Sequence, residues 1–145
     1  MSQASARPEA AIAADIVEPP PQRPADAWAD ARRILPIGSA EPGPWRSDRV
    51  PYTRPICAAF NDPNITRVIV VAGSQMAKSE TILNVIGHRF DDGPRVPCLY
   101  VGPTENQVRG FMRERVDPML RAVPSIVEKM AAGHDDKVTE KYIGG

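Results

Sequence analysis

The stretch Val70-Val71-Ala72-Gly73-Ser74-Gln75-Met76-Ala77-Lys78-Ser79-Glu80-Thr81 carries the residue types of a phosphate cradle. Such a cradle needs a buried strand, a loop whose backbone N–H groups converge, and a helix aimed at the anion; its usual spacing is GxxxxGK(S/T). Lys78 stands where an ammonium reaches β- and γ-phosphates, and Ser79 where a hydroxyl binds Mg²⁺. The helix N-terminus adds about half a unit of positive partial charge in the same direction. Both pattern glycines are replaced, by Ala72 and Ala77. Gly73 can supply the tight turn in place of the first. The second replacement matters more, because the residue before the lysine takes a conformation natural to glycine, and alanine there costs on the order of 1 kcal/mol. The competing reading is an ordinary strand–loop–helix with an exposed lysine. A cation in a first helical turn opposes the helix dipole unless an anion sits beside it, which favours phosphate.

The elements that must position this loop follow from the surrounding pattern. Arg67 to Ala72 is a β-branched run without alternation, which predicts a strand buried on both faces, as in a parallel sheet, and Pro97 to Val101 reads as a second buried strand. Between them a helix from Lys78 to about Phe90 places Ile82, Val85, Ile86 and Phe90 on one face, and Asp91-Asp92-Gly93-Pro94 ends it. Upstream, the reading is a helix from Asp26, as N-cap, to Leu35, with Trp28, Ala31, Ile34 and Leu35 together, then loop from Pro36 to Pro51. Thr53 caps a short helix through Phe60. Downstream, Thr104 and Gln107 form a capping box before a helix with Val108, Phe111, Met112 and Val116 on its core face. Asp117-Pro118 restarts that helix, Ser125 and Glu128 cap another stopped by Gly133, and residues 137–143 suit a last strand. Strand–helix–strand alternation with apolar strands means an α/β fold with a parallel sheet flanked by helices. With two or three strands the sheet is incomplete in this chain.

Composition narrows the function classes. The chain has 145 residues, 18 basic against 18 acidic, so it lacks the overall charge of a small stand-alone DNA-binding module. Its longest apolar run, Val68 to Ala72, is far below the roughly 18 residues of a membrane span, and the N-terminus does not read as a signal peptide. Residues 1–25, rich in proline and alanine, read as a disordered arm acting as a tether. Cys57 and Cys98 lack metal-ligand spacing and read as small buried hydrophobes. His88 and His134 form no metal set, and Asp91-Asp92 and Asp135-Asp136 read as solvated turns. Arg109, Arg113, Arg115 and Arg121 read as a solvated face laced with ion pairs, and Gln75 and Glu80 as hydrogen-bonding neighbours of the lysine.

With the loop placed, the surrounding sequence resembles the large subunit of phage terminases, the GpA-like (lambda-type) family. The resemblance runs over Trp28-Ala29-Asp30, Pro42-Gly43-Pro44-Trp45, Pro51-Tyr52 with Arg54, Asn61-Asp62-Pro63, the loop Gly73 to Thr81, Val101-Gly102-Pro103-Thr104 and Arg115-Val116-Asp117-Pro118-Met119-Leu120. It implies a P-loop NTPase of RecA-like fold, spanning 26–145 here, that uses ATP and Mg²⁺ to pump double-stranded DNA into a capsid. Carried over by position, Gly73, Ser74, Gln75, Met76 and Ala77 form the cradle, Lys78 and Ser79 hold phosphate and Mg²⁺, and the Tyr52 region lies near adenine. Trp28 and Trp45 resemble framework aromatics, and Pro103-Thr104 resembles a second helicase-like motif. The resemblance also implies a small terminase subunit, a capsid portal and a homo-oligomeric ring as partners, with no membrane, in the host bacterial cytoplasm. A Walker B strand with acidic residues and a nuclease domain belong to the family pattern and are absent here, so hydrolysis by this chain alone is expected to be negligible. Two other readings stay open: a piece of a helicase-like P-loop ATPase, or a degenerate prophage remnant without independent activity.

Overall fold

The computed structural model describes residues 23–93 and 96–131. The expected last strand, the stop at Gly133, His134, Asp135-Asp136 and nearly all of the N-terminal arm lie outside those residues. Helix α1 spans Ala25–Arg32 and starts behind Pro24, whose carbonyl accepts the Trp28 N–H at 2.9 Å. Asp26 therefore lies in the first turn and is not the cap. Arg33 turns to extended backbone (φ −86°, ψ 133°), so the helix stops short of Leu35. The buried face is Ala25, Trp28 and Ala29; Ala31 and Ile34 are exposed, because the helical period does not continue past Arg32.

The end of the expected helix and the expected loop after it together form a small sheet. Strands β1 (Ile34–Leu35) and β2 (Gly43–Pro44) pair antiparallel, Ile34 opposite Pro44 and Leu35 opposite Gly43. Gly43 sits at φ 109°, where a side chain is strained. A 3-10 turn at Ser47–Arg49 leads to α2, Thr53–Ala59. Thr53 donates its hydroxyl to the Val50 carbonyl at 2.8 Å, and Tyr52 occupies the N-cap position.

Helix α3, Lys78–Asp91, is the centre of the packing. It buries Thr81, Leu83, Asn84, Val85, Gly87 and His88, a face rotated from the expected one; Ile82 is exposed, while Ile86 and Phe90 are half-buried. The rotation follows Trp28, whose ring lies on Gly87: a Cβ there would stand 2.1 Å from Cη2. No larger residue fits without moving the indole. Trp28 Nε1 donates to Asp91 Oδ2 at 2.9 Å, and Lys129 Nζ reaches Asp91 Oδ1 at 3.0 Å. Asp91 is thus no solvated turn. Its carboxylate is buried and joins the first and last described helices to α3.

Thr104 caps the next helix, its hydroxyl accepting the Gln107 N–H at 3.3 Å. Helix α4 (Glu105–Phe111) passes into a π turn (Met112–Val116) and then α5 (Asp117–Arg121) without the expected restart. Pro118 lacks the N–H that an α turn would offer Glu114, and its ring crowds that carbonyl; the widened turn before it absorbs both effects. Helix α6 is Pro124–Ala131. Trp28, Ala29, Trp45, Leu83, Val116, Met119, Leu120, Val123 and Ile126 form the main core.

The two apolar runs behave differently from the parallel-strand expectation. Among the described residues the only strand pairing is β1–β2. Residues 67–72 and 97–101 carry no pairing, and Ile69 (75%), Val71 (93%), Leu99 (89%) and Val101 (78%) are largely exposed. Cys98 is exposed with them, whereas Cys57 is buried as expected. A two-face-buried strand needs ladder partners and covering helices on both sides, and the described residues supply neither to these runs. The second run is anchored at one edge only, by Tyr100 stacked on Phe111 with ring centroids 4.5 Å apart.

Candidate nucleotide site

The loop between the first run and α3 closes on its own lysine. Lys78 Nζ donates to the Ala72 carbonyl at 3.2 Å and to the Gly73 carbonyl. Ala77, at the N-cap position, is left-handed (φ 48°, ψ 21°), and Gln75 is also left-handed (φ 57°). These are conformations that glycine adopts freely and L-residues do not, so the loop holds two strained turns within three residues. The Ala77 carbonyl already enters the helix ladder, accepting the Thr81 N–H and hydroxyl, each at 2.9 Å. That arrangement sets Lys78 and Ser79 in the first turn of a 14-residue helix, where the leading N–H groups have no intrahelical acceptor. Ser79 is exposed.

Beside this corner lies a cavity of about 890 Å³, within the range of small-molecule sites. One wall is Gln75, Met76, Ala77, Lys78, Ser79 and Glu80; the segment from Ile34 to Glu41 and the π-turn end of the α4–α5 rod close the other sides. Apolar groups (Ile34, Leu35, Leu83, Met119) and cations (Lys78, Arg115) thus share one space, as a ligand with a flat apolar end and an anionic end requires. Gly73 and Ser74 are exposed and do not line it. Tyr52 does not line it either; the ring is exposed at the start of α2. A shallower hollow of about 300 Å³ beside Asp30, Arg46 and Asp48 contains no residue of the loop.

Sequence reasoning missed the charged group that fixes α3. Arg33 is buried and donates to the Glu80 carbonyl at 2.8 Å, to the Asn84 side chain and to the Glu80 carboxylate. Its guanidinium also lies 5.3 Å from the centre of the Trp45 ring. Burial pulls the Arg33 pKa below its ordinary value, and Glu80 opposes that pull. Glu80 accepts a second guanidinium, Arg115, on its other oxygen. The signal for this was slight: a glutamate two residues after the lysine and an arginine among four, with 47 and 35 residues of chain between the partners. Among the described residues no group of three or more His, Cys, Asp and Glu side chains is placed to hold a metal ion.

Residues 39–143 match the family sequence model described as phage terminase large subunit gpA, ATPase domain. The large terminase subunit of Escherichia phage lambda is 30% identical over 113 residues, which is 77% of this chain. The chain spans only 17% of the length of that relative. No solved structure matches. The strained loop ahead of Lys78 therefore falls inside the matched region, and the chain belongs to the gpA family of phage terminase large subunits, with most of its length in that family's ATPase domain.

Proposed function

We propose that this chain is the nucleotide-holding part of a DNA-packaging motor, in which ATP hydrolysis drives double-stranded DNA into a capsid. The observation that carries the reading is the loop itself. Alanine and glutamine are held in left-handed turns immediately before a lysine that caps loop carbonyls at the head of a long helix. Strain of this kind persists where the surroundings impose it, and it concentrates at ligand clamps. In this reading Gly73 to Ala77 offer backbone N–H groups to a triphosphate, Lys78 leaves the carbonyls for the β- and γ-oxygens, and Ser79 holds Mg²⁺. The apolar side of the cavity takes the nucleoside, with Tyr52 at a distance from it. Bound Mg²⁺ would supply charge neutralisation on the phosphate oxygens.

The exposed runs at 67–72 and 97–101 support the same reading. Their apolar composition, β-branched in the first run, suits inner strands of a RecA-like parallel sheet. The motor's further partners, a small terminase subunit, a capsid portal and copies of the same subunit in a ring, belong to this proposal, as does the host cytoplasm as its place of action. No helix among the described residues is long and apolar enough to cross a membrane. The test is thermal: Mg-ATP raises the melting temperature of the chain, and Lys78→Ala erases the shift. Equal shifts in both proteins would defeat the assignment.

A further inference from the structure

Among the described residues Glu80 is the one carboxylate contacted by both Arg33 and Arg115, and the two arginines are not equivalent. The Arg33 side chain is 3% exposed and its charge has to be neutralised where it lies, since a buried guanidinium without a partner is strongly destabilising. The Arg115 side chain is 49% exposed and keeps water as an alternative partner. One carboxylate balances one of them, and burial decides that it is Arg33. Arg115 is therefore the surplus cation, on the wall of the same cavity as Lys78. Lys78 itself rests on carbonyl oxygens and, among the described residues, pairs with no carboxylate. The other charged side chains on the wall are Arg49 and Glu41, which pair with each other, and Glu114. Arg33, Lys78 and Arg115 against Glu80 and Glu114 leave an excess of positive charge facing the space.

We propose that Arg115 is a second polyphosphate-binding cation, parked on Glu80 and drawn to the anion when one enters the cavity. The proposal rests on the nucleotide reading of Lys78 and extends it to a residue beyond the loop. The π turn fits this role. It lies at the point where the rod reaches α3, buries Val116 in the core and leaves Arg115 on the cavity side. Wide turns of this type recur at functional positions. When Arg115 leaves, Glu80 keeps its bond to Arg33, so α3 stays fixed while the charge moves.

Calorimetric titration of the 145-residue chain with tripolyphosphate and with Mg-ATP tests this, each at several salt concentrations. Arg115→Met is expected to bind both about tenfold more weakly, the loss of one charge-assisted hydrogen bond, and to lose affinity less steeply as salt rises. Arg115→Lys is expected to keep the salt dependence while recovering only part of the affinity, because an ammonium keeps the charge and loses the fork. Melting of both variants without ligand should stay close to the parent, since a half-exposed pair contributes little. Should the methionine variant fold poorly, the lysine variant decides alone. Unchanged affinity and salt slope in the Arg115 variants, with Lys78→Ala still abolishing binding, overturn the Arg115 assignment and leave the loop reading standing. A parent chain that binds neither ligand overturns both.

Discussion

Trp28 and Val71 are both large apolar residues, and the molecule treats them oppositely: the indole is fully buried, the valine almost fully exposed. Trp28 belongs to a helical cluster in which each element meets its partners within the described chain. It packs on Gly87, its N–H is accepted by Asp91, and Asp91 is held in turn by Lys129. Val71 belongs to a run whose backbone has no ladder and whose side chains have no cover. A helix satisfies its own hydrogen bonds and needs only one apolar stripe covered, whereas an inner strand needs neighbours on four sides. The β-branched composition of 67–72 is therefore a demand for partners that the described residues do not meet, whereas the helices find theirs.

The difference can be broken at its strong end first. Trp28→Ala should lower the stability of the chain by about 3–5 kcal/mol, measured by urea unfolding, because it opens a large cavity and leaves Asp91 with one partner fewer. Acid should act next. Burial holds the His88 imidazole below its ordinary pKa, so the unfolded chain takes up the proton first and stability falls as pH drops below about 6.5. Burial would raise the Asp91 carboxyl, but the bonds from Trp28 and Lys129 outweigh it and its pKa lies below the ordinary value. Its contribution is complete above about pH 4 and is lost as pH falls further. Unfolding midpoints from pH 7.5 to 3 should show both losses, and His88→Leu should remove the upper one only.

Ala77→Gly should raise stability by about 1 kcal/mol, since the left-handed turn costs glycine little, and should tighten Mg-ATP binding; unchanged or weaker binding would count against strain at that turn. The smallest effect belongs to the exposed runs. Val71→Thr and Leu99→Thr should each change stability by less than about 0.5 kcal/mol, because neither side chain loses a packed neighbour. A loss as large as that of Trp28→Ala would show that those runs are covered in solution.

Local signals were legible in the sequence. The start of α3 at Lys78, the cost of an alanine before it, and the Thr104 cap all depend on residues within a few positions of each other. Features that depend on distant chain were not. The rotation of the buried face of α3 is imposed by Trp28, and the Asp91 bond spans 63 residues. The end of α1 at Arg32 follows from the demand of Glu80 and Asn84 on Arg33, about 50 positions ahead. The π turn escaped because a five-residue widening leaves almost no mark on an apolar period. At the candidate site the spacing pointed to the place of Lys78 and Ser79 at the head of a helix, whereas Gly73, Ser74 and Tyr52 lie off the cavity wall, and Arg33 and Arg115 emerged only once the chain was folded.

Trp45 lies against Arg33, and Arg33 grips the same carboxylate that Arg115 shares. Trp45 also lines the cavity, so its fluorescence should respond, without a label, when a ligand enters and Arg115 moves. Trp28, sealed in the core, offers a steady reference emission within the same spectrum.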